Sequence, residues 1–458
     1  MLGAIMGPLD GSIANVAMPA ISHALHSSLD QVEWVLLAYM LVTASTLVLF
    51  GRVGDMLGQK RIYLSGFVAF GLGSVACALA PSLAWLVGFR VFQAIGAAMM
   101  TTSAQALVVD IFPGSERGRA IGLVGAAVAV GLSVGPVLGG FIVTVADWRW
   151  IFLINVPICV AALAFAAWVI KPATPKREGF DVTGAVCSIL CLFALSLALS
   201  RAHVWGWGSP RIIALLMTSA IAFSIFLFVE RRAAYPTLDL SLFSNRLFSM
   251  STLAAVMFYT VLSGMVFILP LTAQTALGDS PLAAGLLLIP LTVLNIAVAP
   301  LAGWLSDLVP ARYVATAGAL AVSAGAFMLS RLPFHPSNVQ IGFALVIAGI
   351  GGATFNPPNT SAIMGAAPPN RRGIASATMG TARSNGQLLG VAVAGAVYFA
   401  RAHALGRFGS TYAPTAAYFA VVATLMLGVA VVSWMRGAAP SANEAALARP
   451  HFDHNRTA

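Results

Sequence analysis

Charge is what this sequence has least of. Asp, Glu, Lys and Arg together make up 9% of its 458 residues, where a soluble globular domain carries about 25%. A water-soluble globule of this size cannot cover its surface with so few ions, so a cytosolic enzyme, a nucleic-acid binder and a disordered chain are excluded. Cysteine is scarce too. Cys77, Cys159, Cys187 and Cys191 lie in apolar runs with no Cys or His at metal-finger spacing, and read as small buried hydrophobes. No block of five or more like charges exists, so the net charge of +10 does not point to nucleic acid as a partner. The first residues lack the basic stretch and cleavage site of a signal peptide. The seven histidines fall in loops, span ends or the tail. No His–Glu–His metal pattern, nucleotide-binding loop or catalytic triad appears, so no metal, no cofactor and no enzymatic activity are expected.

What is present is apolar length. The chain is 59% hydrophobic with a mean hydropathy of +0.89. A bilayer core needs about 20 apolar residues per helix, and candidate spans lie near 1–25, 32–51, 62–81, 83–108, 119–145, 150–170, 182–200, 211–229, 248–273, 281–305, 313–331, 339–361, 374–400 and 415–435. In lipid every backbone polar group must be satisfied internally, so the reading is an all-α membrane protein of fourteen transmembrane helices. With the N-terminus inside, seventeen of the twenty-five Lys and Arg fall in inside loops or the tail, six in outside loops and two, Arg90 and Arg383, within spans. That bias places both termini in the cytoplasm of a multi-pass protein of the inner or plasma membrane.

The sequence also repeats. Gly51, Asp55, Lys60 and Gly66 match Gly303, Asp307, Arg312 and Gly318 at an offset of 252. Pro113, Arg117, Gly118, Ala120, Gly125, Gly131, Gly135 and Gly140 match Pro368, Arg372, Gly373, Ala375, Gly380, Gly386, Gly390 and Gly395 at an offset of 255. Spans 2–5 therefore correspond to spans 10–13. The chain divides into a six-helix half over 1–170, a linker with spans 7 and 8 over 171–247, a second six-helix half over 248–435, and a polar tail over 436–458 expected to be disordered. Parallel repeats of this kind occur in one large class of transporters.

Five segments, in order along the predicted spans, resemble the major facilitator superfamily, and specifically its fourteen-span drug–proton antiporter branch. They are LDGSIANVAMP (9–19), GRVGDMLGQKR (51–61), RVFQAIGAA (90–98), GLSVGPVLGG (131–140) and WRWIFLINVPI (148–158). Gln59 and Ala94 depart from that pattern, which has a basic residue and a Gly there. Only nine residues precede Asp10 and none is basic; either the chain starts downstream of its natural beginning or this end is divergent. The resemblance implies the major facilitator fold and a proton-coupled exporter of hydrophobic compounds, with protons as the coupling ion and a periplasmic adaptor protein as an optional partner. A dedicated exporter of a single metabolite with the same fold is the alternative.

The residues carry this reading unequally. Asp10 is the one carboxylate well inside a predicted span. Burying its charge costs several kcal/mol, so it is expected to exchange protons; alternatively it lies at the inner headgroup level and caps a bent helix with Gly11 and Ser12. Arg90, with Gln93 one turn away on the same face, either tunes that site or clamps neighbouring carbonyls. Gly51, Asp55, Gly58 and Arg61, with Asp307 in the repeat, form a gating loop rather than a chemical site. Gly131, Gly135, Pro136, Gly139 and Gly140 leave a helix face without side chains and bend it, which suits a tight seam between helices. Cavity candidates are Asn15, Trp34, Tyr39, Gln93, Gln105, Gln274, Asn295, Asn356, Asn359 and Arg383, with Met99, Phe258 and Met265 as apolar lining. Glu33, near the outer end of span 2, is a candidate second charge there.

Overall fold

The computed structural model describes residues 2–111, 117–170, 182–232, 240–368, 372–405 and 412–436, and among them there is no strand. The first half contains α1 (Leu2–Val16), α2 (Met18–Ala24), α3 (Leu29–Leu57), α4 (Gln59–Ala78), α5 (Leu83–Ile111), α6 (Arg117–Val145), α7 (Trp150–Leu153) and α8 (Asn155–Val169). The inserted pair is α9 (Val182–Trp205) and α10 (Pro210–Arg232). After a short 3₁₀ turn, the second half contains α11 (Arg246–Thr275), α12 (Pro281–Leu286), α13 (Ile289–Leu308), α14 (Ala311–Ser330), α15 (Asn338–Ala366), α16 (Arg372–Leu405) and α17 (Ala413–Met435). The polar tail from 437 onward falls outside the described residues.

Ten helical stretches among the described residues, rather than fourteen, are long and apolar enough to cross a bilayer; Val130–Val145 and Thr183–Leu199 are shorter apolar pieces. α1 is 15 residues long, below the length that crosses a hydrocarbon core unaided. Outward faces are apolar: Trp168, Leu72, Phe165, Trp304 and Leu301 all stand exposed on helices. Such surface is stable only against lipid, so the molecule is an integral membrane protein.

The repeat is visible in the packing. α1 lies on α6 as α11 lies on α16, and α4 lies on α5 as α14 lies on α15. Ser28 and Ser280, 252 residues apart, are the N-caps of α3 and α12. The segment 51–61 is not a loop. α3 continues to Leu57, α4 begins at Gln59, and the turn is Gly58 alone at φ +97°, a conformation that side chains rarely adopt. Gln59, the departure noted above, donates from Nε2 to the Gly51 carbonyl at 3.3 Å and so ties the start of α4 to the last turns of α3. Arg61 is exposed, and the side chains of Asp55 and Asp307 are outside the described part.

Candidate functional site

Asp10 sits in the interior of α1, 1% exposed, and does not cap a helix. One carboxylate oxygen forms an ion pair with Arg90. The other accepts from Asn155 Nδ2 at 2.7 Å and from Gln93 Nε2 at 3.1 Å. Three helices of the first half (α1, α5 and α8) thus converge on one carboxylate. Arg90 contacts both the carboxylate and a neighbouring backbone carbonyl. Its Nη1 donates to Asp10 and to Gln93 Oε1, the latter at 2.8 Å, while its Nε donates to the Val35 carbonyl at 3.1 Å. Its guanidinium carbon lies 4.0 Å from the centre of the Tyr39 ring and 5.5 Å from that of Phe152, the geometry of a cation–π pair. Gln93 also donates to Ser74 Oγ at 2.8 Å, and Tyr39 donates to the Gly7 carbonyl at 3.1 Å.

This network is chemically tense. An ionised carboxylate is an acceptor only, and here it accepts from three donors in a fully buried place. The Nη2 of Arg90 has no hydrogen-bond partner among the described residues.

Next to this network the two halves enclose space. One cavity is lined by Gly11, Ser12, Asn15, Met40, Leu262 and Gln387. A second includes Phe258, Tyr259, Thr292, Asn295 and Asn356 in its lining. Leu132, Leu262 and Val266 line both. Asp10 precedes the lining residue Gly11 directly, so the buried acid and the cavity share a turn of α1.

Asn15, Asn295, Asn356 and Phe258 line these cavities; Met265 lines a small adjoining one. Other candidates lie elsewhere. Tyr39 and Gln93 belong to the Asp10 network and Gln274 donates to the Val16 carbonyl at 2.9 Å across the halves. Asn359 donates to the Ser251 carbonyl at 3.0 Å and accepts from Arg436 at 2.9 Å. Arg383 is buried on α16, Trp34 is part-buried on α3, and Met99 packs beside Gly66. The side chain of Gln105 is outside the described part. Asp10 is not the one embedded carboxylate: Glu33 and Glu230 are 1% and 3% exposed. Asn155 was missed as a site residue; its signal is a lone amide in the apolar run NVPICVAALAF.

Gly131 and Gly139 bring α6 against the backbone of α1, where an added Cβ would lie 2.7 Å from the Ile5 and Ile13 carbonyl oxygens. Gly140 faces the other way, onto Pro281 and Leu282 of α12. Glycines on two sides of one helix thus serve the inside of a half and the junction between halves.

Two helical halves around a shared cavity, with a buried charge network in one of them, define a membrane transporter. The sequence profile of the Major Facilitator Superfamily matches residues 1–258 and 251–454, and the chain belongs to that family. It is 32% identical over 393 residues to the riboflavin transporter RibZ of Clostridioides difficile, covering 85% of each chain. It is 33% identical over 398 residues to the multidrug resistance protein Stp of Mycobacterium tuberculosis, covering 86% of this chain and 74% of that one. Among solved structures, a POT family transporter in complex with a thioalcohol-conjugated peptide superposes with a TM-score of 0.70 at 14% identity, over 94% of this chain and 93% of that one, which shows the shared fold.

Proposed function

We propose that this protein is a proton-coupled exporter of hydrophobic compounds, neutral or singly cationic, with fourteen membrane passes and both termini in the cytoplasm. The observation that carries the reading is the Asp10 network beside the cavity. A proton arriving at Asp10 discharges the acceptor that holds Arg90, Gln93 and Asn155, and the helices of the first half must re-pair. That re-pairing is the coupling between proton and conformation. Gly11, Ser12 and Asn15 lie on the same helix and line the cavity, so substrate and proton act on one element.

The cavity chemistry supports the substrate class. Its lining is aliphatic, aromatic, hydroxyl and amide, which suits dispersion, stacking and single hydrogen bonds. Glu33 is not among the lining residues of either cavity, so no second carboxylate is on hand for a dication. Resemblance to proteins named for multidrug resistance favours a broad range of compounds. A dedicated exporter of one metabolite is the second reading, favoured by the relative named as a riboflavin transporter.

Uptake of a monocationic dye into inside-out vesicles tests the reading. Uptake is expected to need the proton gradient, to stop when that gradient and the membrane potential collapse, and to be weak for a dicationic dye of similar size. Uptake sustained by ATP without a gradient would refute it.

A further inference from the structure

The two halves meet along two seams that the repeat relates to one another. On one, α6 packs on α12. Gly140 lies against the Pro281 carbonyl group and Gly285 against that of Pro136; in each case an added Cβ would stand 2.9 Å from the carbonyl carbon. On the other, α16 packs on α3. The offset of 255 that pairs Gly131 with Gly386 also pairs Gly140 with Gly395, and the offset of 252 that pairs Gly51 with Gly303 also pairs Glu33 with Gly285. Where one seam brings glycine backbone onto a helix, the other inserts a carboxyl group. That group occupies the space a side chain at 395 would need: a Cβ there would stand 2.6 Å from Glu33 Cδ.

Glu33 is poorly served in this place. It is buried, and its Oε1 has no hydrogen-bond partner among the described residues. The charged groups that face it are Arg201 from α9 and Asp30 from its own helix, while α16 brings Gly395. The Arg201 guanidinium carbon is instead 5.4 Å from the centre of the Trp34 ring. A carboxylate with an unpaired oxygen and no ion pair among the described residues costs several kcal/mol in such surroundings; a neutral carboxyl costs far less. Parting α3 from α16 would admit water and favour the ionised form.

We propose that Glu33 is a second proton site, separate from Asp10, that holds a proton while α3 and α16 are closed and releases it to the outer side when they part. The proposal rests on the orientation and proton coupling of the preceding subsection. The end concerned is closed here: Asn15 reaches the Val266 carbonyl and Gln274 that of Val16, both across the halves. Because the proton enters and leaves on one side, it adds nothing to the number of protons carried across. It makes closure depend on external pH. The closed seam binds more protons than the open one, so acid outside favours closure and alkali favours opening. Acid-driven closure of the outer side is the step that returns an exporter to face the cytoplasm.

The full chain in lipid nanodiscs, with its four native cysteines replaced and spin labels at Gln31→Cys and Ala404→Cys, reports the separation of the outer ends of α3 and α16. The closed fraction is expected to rise as pH falls from 8 to 5. Glu33→Gln is expected to stay closed throughout, and Asp10→Asn to keep the pH dependence. Arg201→Gln, which removes the cation that favours the ionised form, is expected to move the closing midpoint to higher pH. It also serves if Glu33→Gln does not fold. Unchanged pH dependence in Glu33→Gln, or no midpoint shift in Arg201→Gln, would overturn the assignment. Loss of gradient-driven dye uptake in the wild type concerns proton coupling itself and leaves this distance measurement to be read independently.

Discussion

At the scale of single residues the proposed coupling turns on one carboxylate and its three donors. Asp10→Asn is expected to fold normally and to abolish gradient-driven uptake, because the amide resembles a permanently protonated acid. Wild-type gradient-driven dye uptake in the purified mutant would sink the role given to Asp10. Asn155→Ala makes a finer test. It removes one hydrogen bond to a charged group, worth about 1.5–3 kcal/mol, and is expected to lower the rate of gradient-driven dye transport about tenfold or more with the protein still folded. Asp10, Arg90 and Gln93 were legible in the sequence because a polar residue in an apolar span must have a reason to be there. Asn155 carries the same signal more faintly: an amide costs less to bury than a charge, so its presence demands less explanation.

At the scale of elements, glycine faces decide how closely helices approach. α6 offers Gly131 and Gly139 to α1 and Gly140 to α12, so neighbouring positions on one helix serve different contacts. The motif GLSVGPVLGG announces a small-residue face; which neighbour meets each glycine is set by the bend of the helix around Pro136 and by the position of the other half. Gly140→Val is expected to leave α1 on α6 undisturbed and to force α6 and α12 apart. Overpacking of this kind costs about 1–3 kcal/mol. The mutant is expected to be folded and leaky, with a faster proton leak in liposomes loaded with a pH-sensitive dye; a leak equal to wild type would mean the seam seals elsewhere. The turn at 58 shows the same division. Gly58 was legible as a turn residue, but the extension of α3 through Leu57 was not, since Gly51, Arg52, Gly54 and Asp55 break the apolar pattern that marks a span.

At the scale of the whole molecule, the inserted pair is what separates this chain from a plain two-half design. α9 packs on α10 and reaches both α3 and α16, so it braces the junction between the halves. If α9 and α10 both cross the bilayer, reporter fusions after Pro175 and Tyr235 read cytoplasmic and a fusion after Gly208 reads external. A cytoplasmic reading at Gly208 would remove two passes from the proposed fourteen.

The sequence by itself determined the solvent, the secondary structure and the duplication. Those follow from composition and periodicity, which are properties of the chain taken a few residues at a time: too little charge to face water, apolar runs that must be helices in lipid, and glycines recurring at fixed offsets. Only the tertiary structure decided which distant residues share a site. Asp10, Arg90 and Asn155 are separated by up to 145 positions, and no local pattern states that their helices converge. The same holds for Glu33. Its place near a span end read as a route to the cavity, yet the packing of α16 on α3 directs it into the seam, because a side chain goes where its helix face is turned, and that face is chosen by the neighbours rather than by the residue.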